Sequence, residues 1–310
     1  MGRPQPVQPV PAPGVRSPEE LAIARSVLYA SLFDYPLTLA QLRQTLIECA
    51  LAPSQIVAAC QDSQALQAVI ESRDGFFFPK GRADLCEERR RREARSRRFL
   101  REHRLLLALI CAIPYVRMVA LSGSIAHLNL EGGGDLDLFI VTRGRRVWGV
   151  TVAVLVLAKL MRRRRLVCAN FVVADSRLAL EQADLFTASQ IIHLKPLVGW
   201  DVYRRFIAAN PFVARFYPNF YPDAFGPRFR RPALFEHAKS AIEWLLTPAS
   251  ALVEAACRLA YRRHLIRRSG SWSSPEQVQL EPDYLKLHTR SHRRSILHRF
   301  DSAVEQLFNR

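Results

Sequence analysis

Residues 119–142, VALSGSIAHLNLEGGGDLDLFIVT, hold the side chains of this sequence best suited to chemistry. An apolar run leads into Ser122-Gly123-Ser124. Eleven residues beyond Ser124 comes Asp135-Leu136-Asp137, followed by a second apolar run. Two carboxylates at i and i+2 of a strand face the same way, because side chains alternate along a strand. Hard divalent cations such as Mg²⁺ take oxygen ligands and leave part of their shell to water and substrate phosphates. A Gly-Ser turn offers backbone N–H groups to an anion, and its glycine lets a ligand approach the main chain closely. Paired metal carboxylates and a phosphate cradle are the minimal hardware for phosphoryl transfer.

With apolar residues around each half, Gly123-Ser124…Asp135-x-Asp137 resembles the signature of the DNA polymerase beta nucleotidyltransferase superfamily. Within it, the chain resembles a bacterial group that carries an N-terminal winged-helix segment. Further landmarks of the resemblance are Leu32-Phe33-Asp34-Tyr35-Pro36-Leu37-Thr38, Asp184-Leu185-Phe186-Thr187-Ala188 and Ala209-Asn210-Pro211-Phe212. It spans roughly residues 20 to 300 and names no substrate.

The resemblance implies transfer of a nucleoside monophosphate from a nucleoside triphosphate to a hydroxyl acceptor. The acceptor is left open, and a protein side chain, a small metabolite or an RNA end could serve. Asp135 and Asp137 would ligate Mg²⁺, while Ser122, Gly123, Ser124 and Gly134 would meet the nucleotide. Superfamily sites add a third carboxylate on a neighbouring strand, as base and metal ligand. The matching strand here, LVCANFVVA, offers Asn170. An Asn carbonyl can ligate a cation, but it carries no charge and accepts no proton at neutral pH. Asp175 and Asp184 are the remaining candidates for that carboxylate, Asp184 also reading as a helix N-cap. The alternative is a catalytically weak nucleotide-binding or protein-interaction module of the same fold. A DNA-associated regulator is a third reading. Among nearby groups, His127 and Arg143 could meet a phosphate or be plain turn residues. His193 and Lys195 read as ordinary partners of a helix C-terminus.

The elements that must position these residues give an α+β fold: a small mixed-sheet nucleotidyltransferase core with an N-terminal winged helix and a helical C-terminal region. Residues 1–18 read as a Pro-rich tail, 19–82 as the winged-helix-like domain, 83–115 as a connecting helix, 116–195 as the core and 196–310 as the helical domain. In the first domain, residues 19–33 form an amphipathic helix, Thr38 caps a second over 39–50, and Pro53 opens a third. Arg73-Asp74-Gly75 then signals a hairpin. The third helix, PSQIVAACQDSQAL, has no Arg or Lys to touch DNA, which favours a protein-contact or autoregulatory role. One long helix is expected over 87–110, its Arg-rich half projecting and its apolar half packed on the sheet. In the core come strand 116–122, a short helix, strand 136–142, helix 146–161, strand 166–174 and the helix LFTASQIIHL. Residues 270–280 read as an exposed loop and a basic helix starts near Thr289.

A chain of 310 residues can hold two or three domains. Its net charge is +17, and only five of its 45 basic residues are lysines. The arginines cluster at 89–104, 162–165, 258–268 and 290–299, so nucleic-acid or other anionic contact stands beside simple solvated faces. Six scattered cysteines without metal spacing read as reduced thiols of a cytoplasmic protein. The tail lacks the apolar centre of a signal peptide. VWGVTVAVLVLAKLM, residues 147–161, is too short to span a bilayer and reads as a buried helix.

Overall fold

The computed structural model describes residues 17–222 and 233–308, so most of the expected Pro-rich tail, and part of the aromatic stretch after Pro196, lie outside it. The chain is a mixed α+β structure that divides into two compact units. One combines the segment up to Arg89 with Phe216–Phe220 and the segment from Arg294. The other comprises Arg90–Arg215 and Tyr221–Arg293.

In the first unit, Ser17 and Pro18 belong to a helix rather than to a tail. Ser17 accepts the Glu20 N–H while the Glu20 carboxylate takes the Ser17 N–H, a capping box that opens α1 (Pro18–Ser31). There follow β1 (Leu37–Thr38), α2 (Leu39–Gln44), α3 (Pro53–Asp62), α4 (Gln64–Val69), β2 (Ile70–Arg73) and β3 (Phe76–Pro79). The strands form an antiparallel sheet in the order β1-β3-β2. Asp74 and Gly75 turn the hairpin at φ +54° and +79°, the left-handed pair that Asp-Gly supplies. Helix α2 is shorter than expected. The Thr45 hydroxyl turns back onto the Gln41 carbonyl and Glu48 sits at φ +57°, outside any helix, although Leu46 and Ile47 remain buried. The third helical stretch is also cut in two. Ser63 leaves the helical region and caps α4 by accepting the Leu66 N–H. Ile23, Val27, Leu42, Ile56 and Leu66 pack the core. The terminal α13 (Arg293–Phe308) adds Phe300, edge-on to Tyr29 at 5.1 Å.

The second unit is built on a six-stranded mixed sheet, reached through α5 (Asp84–Glu102) and α6 (Arg104–Ala112). Its parts are β4 (Val116–Leu121), α7 (Gly123–Ala126), β5 (Leu136–Thr142), α8 (Val147–Leu160), β6 (Val167–Ala174) and α9 (Leu185–Ile192). After them come β7 (Lys195–Val198), α10 (Trp200–Ala208), α11 (Phe212–Phe216), α12 (Ala233–Ile266), β8 (Val278–Leu280) and β9 (Tyr284–Leu287). The order is β7-β4-β5-β6-β9-β8, with β5 and β6 the parallel pair that α8 connects. Val119, Leu121, Leu138, Ile140 and Val172 face α6 and α8, burying Trp148 and Val154.

The helix expected over 87–110 breaks at His103, which leaves the helical region between α5 and α6. Its Arg-rich half does not simply project, since Arg92 and Ser96 are buried. The region after Pro196 is not all helical, because β7 extends one edge of the sheet and β8 and β9 extend the other. Pro196 is compatible with β7 because an edge strand can lack a donor. Residues 270–280 likewise do not form a wholly exposed loop, as Ser274 and Gln277 are buried. Among the described residues, no helix is long and apolar enough to cross a membrane.

Candidate active site

Strand β4 delivers its chain to the site in an extended residue, Ser122, whose N–H donates to the Asp137 carbonyl at 2.9 Å. Gly123 then turns at φ +60°. A Cβ there would lie 2.4 Å from Asp137 Oδ2, so only glycine lets the turn rest against that carboxylate. Ser124 is exposed, and its carbonyl accepts the Asn129 N–H at 2.9 Å.

On β5, Leu136 points into the core while Asp135 and Asp137 share the opposite face, both half-buried. The parallel neighbour β6 places Cys168 opposite Asp137. A β-bulge follows, with β6 using three residues from Cys168 to Phe171 where β5 uses two from Asp137 to Phe139. Ala169 and Val172 thereby both reach the core, while Phe171 packs on Phe139 and the extra residue, Asn170, reaches Asp137. The Asn170 Nδ2 donates to Asp137 Oδ1 at 3.2 Å, and the Cys168 thiol donates to Asp135 Oδ2 at 3.0 Å. Single ligand atoms of Asp135, Asp137 and Cys168 all lie within 4.8 Å of one another.

Burial pushes the Asp137 carboxyl up to about 7. The nearby Asp135 charge adds to this and the Asn170 amide opposes it. Burial and the Asp135 carboxylate push the Cys168 thiol up to about 12, so it stands here as a hydrogen-bond donor. The donor set fits a divalent cation. Two carboxylates held together against their own repulsion could share a metal ion between them. Cys168 is a softer third donor that would have to lose its proton first.

The remaining candidates separate. Gly134 is held by packing rather than by the site's face, since a Cβ would meet Leu130 Cδ2 at 2.1 Å. Leu130 is in turn anchored by the buried Ser96 hydroxyl and by Arg95, at 3.0 Å each. Asp175 accepts the Gly144 N–H at 2.8 Å, at the far end of β6 from Cys168. Seven residues of strand put that end about 23 Å away. Asp184 caps α9 through the Thr187 N–H at 2.8 Å and pairs with Arg293 at 2.7 Å. Among the described residues, neither aspartate belongs to the cluster that Asp135 and Asp137 form with Cys168. Arg143 is engaged with Glu243 at 3.3 Å. His127 and His193 pack with ring centroids 4.0 Å apart and planes tilted by 30°, a pairing that their separation in sequence conceals. Sequence reasoning missed Cys168. The available signal was its i, i+2 spacing with Asn170 on the strand expected to flank the carboxylates. Compared with known protein families, characterised proteins and solved structures, the chain has no significant match.

Proposed function

We propose that the protein is a divalent-cation-dependent nucleotidyltransferase, its second unit being the catalytic core and its first a winged-helix module. The observation that supports this reading is the closeness of the Gly123 turn to the Asp137 carboxylate, whose Oδ2 a Cβ on Gly123 would meet at 2.4 Å. Asp135 and Asp137 would hold the cation, for which Mg²⁺ is the proposed identity. When bound, it would supply charge neutralisation to a triphosphate. The Gly123–Ser124 backbone and the Ser124 hydroxyl would take the terminal phosphates, and Asn170 keeps the Asp137 carboxylate turned toward them. The acceptor hydroxyl bonds to the α-phosphorus, its proton passes to solvent, and pyrophosphate leaves.

Asn170 and Cys168 stand where a third carboxylate would serve as base, so the reaction suits an acceptor that needs little activation. The same two residues favour the second reading, a nucleotide-binding module with weak turnover. Incubation with labelled ATP, CTP, GTP or UTP and Mg²⁺ separates the two. Transfer of label to the protein or to lysate components, falling about a hundredfold or more in Asp135→Ala, is expected of the enzyme. Absence of transfer, or transfer equal in Asp135→Ala, contradicts it.

A further inference from the structure

Helix α12 is built inside out. Its inward face carries charge and hydroxyls, with Lys239, Glu243, Ser250 and Glu254 all buried. Glu243 accepts the Tyr115 N–H at 2.8 Å and pairs with Arg143 and Arg117 at 3.3 and 3.5 Å. Glu254 accepts the N–H groups of Trp148 and Gly149 at 2.9 and 2.7 Å, in the first turn of α8, where a helix favours negative charge. Arg146 donates to the Ser250 hydroxyl at 2.8 Å.

The outward face is apolar. Trp244, Leu245, Leu252, Val253 and Leu259 are 79, 71, 77, 53 and 54% exposed. Every exposed residue between Ala241 and Ala256 is uncharged, over a length of about 24 Å. The neighbouring α8 also exposes apolar side chains, Val156 and Leu160 at 49 and 76%. A helix facing water has the reverse arrangement, and a continuous apolar patch of this kind marks a contact surface. One end of the patch is densely basic. Arg258, Arg262, Arg263, Arg267 and Arg268 on and just beyond α12 are exposed, as are Arg162–Arg165 after α8. Helix α8 packs on α12, and Arg162–Arg165 follow closely on its C-terminal end.

We propose that the outer face of α12 docks on an anionic lipid bilayer. Its apolar residues would sit at the boundary of headgroups and acyl chains, and its arginines on the lipid phosphates. Charge chooses this occupant. A second copy would bring the same arginines and another +17 to the contact, whereas an anionic leaflet complements them. Glu243 and Glu254 tie the helix to the rest of its unit, so α12 lies along the surface rather than through it.

Sedimentation of the full chain with vesicles tests this, using phosphatidylcholine alone and phosphatidylcholine mixed with phosphatidylglycerol. The protein is expected to bind the anionic vesicles about tenfold or more tightly than the neutral ones, and to be released by salt. The triple variant L245Q/L252Q/L259Q alters only exposed side chains. It is expected to lose about tenfold or more in binding with an unchanged circular-dichroism spectrum. Replacing Arg262 and Arg263 by Gln should weaken binding to anionic vesicles and leave the weak binding to neutral ones unaltered. Failure of the wild type to bind anionic vesicles overturns the proposal, as does equal binding by the triple variant. A wild-type dimer that the triple variant converts to monomers, without vesicle binding, assigns the face to a second copy and overturns it too.

Discussion

Asp137 sits where three influences meet: a glycine turn resting on its carboxylate, the Asp135 charge beside it, and the Asn170 amide on its Oδ1. The first two belong to the motif, and the third comes from a bulge. Burial and Asp135 raise its carboxyl to about 7, so at neutral pH the metal-free folded chain retains protons that the unfolded chain has lost. The slope of stability against pH is therefore negative in this window, and stability rises as pH falls from about 8 toward the usual carboxylate range. Asp137→Asn removes that dependence. Without divalent cation the variant is expected to exceed the wild type by on the order of 3 kcal/mol near pH 8, the gap closing in acid. Urea unfolding of both proteins across pH checks this, and parallel curves would contradict it. A bound cation favours the charged carboxylate and should reverse the preference.

At the scale of elements, α8 owes its placement to another helix. Its N-terminal N–H groups at Trp148 and Gly149 are satisfied by Glu254 of α12, far along the chain. Glu254→Leu leaves both donors without that partner, and a loss of about 2 kcal/mol in chemical denaturation is expected. Unchanged stability would show that water serves those donors equally well. The same helix shows where sequence reading stops. The strands around Gly123-Ser124 and Asp135-x-Asp137 were legible because long apolar runs bounded by turn residues leave few alternatives. The hairpin at Asp74-Gly75 was legible because its backbone needs left-handed φ values. Strands β7, β8 and β9 were not, since runs of three or four residues are too short to show a period of two. The buried polar face of α12 inverts the ordinary pattern, so hydropathy alone could not orient it. Cys168 escaped notice because a scattered cysteine in an apolar strand usually just packs, and its role as neighbour to Asp135 depends on the parallel register with β5.

At the scale of the molecule, the sheet of the second unit separates two surfaces. Asp135, Asp137 and Cys168 project from one face, while α8 packs on the other with α12 against it. Docking on lipid through α12 would leave the carboxylates open to a nucleotide and acceptor on the far side. On both proposals the net charge of +17 would serve two ends, holding a membrane surface and attracting polyphosphate substrates. The Gly-Ser turn and the two aspartates are proposed to form one cation–triphosphate site. Calorimetric titration of the wild type and Asp135→Asn with a nonhydrolysable nucleoside triphosphate, with and without Mg²⁺, tests it most directly. Wild-type binding is expected to strengthen about tenfold or more with Mg²⁺, and Asp135→Asn to lose that enhancement. Binding indifferent to Mg²⁺, or an enhancement that survives in Asp135→Asn, would contradict it.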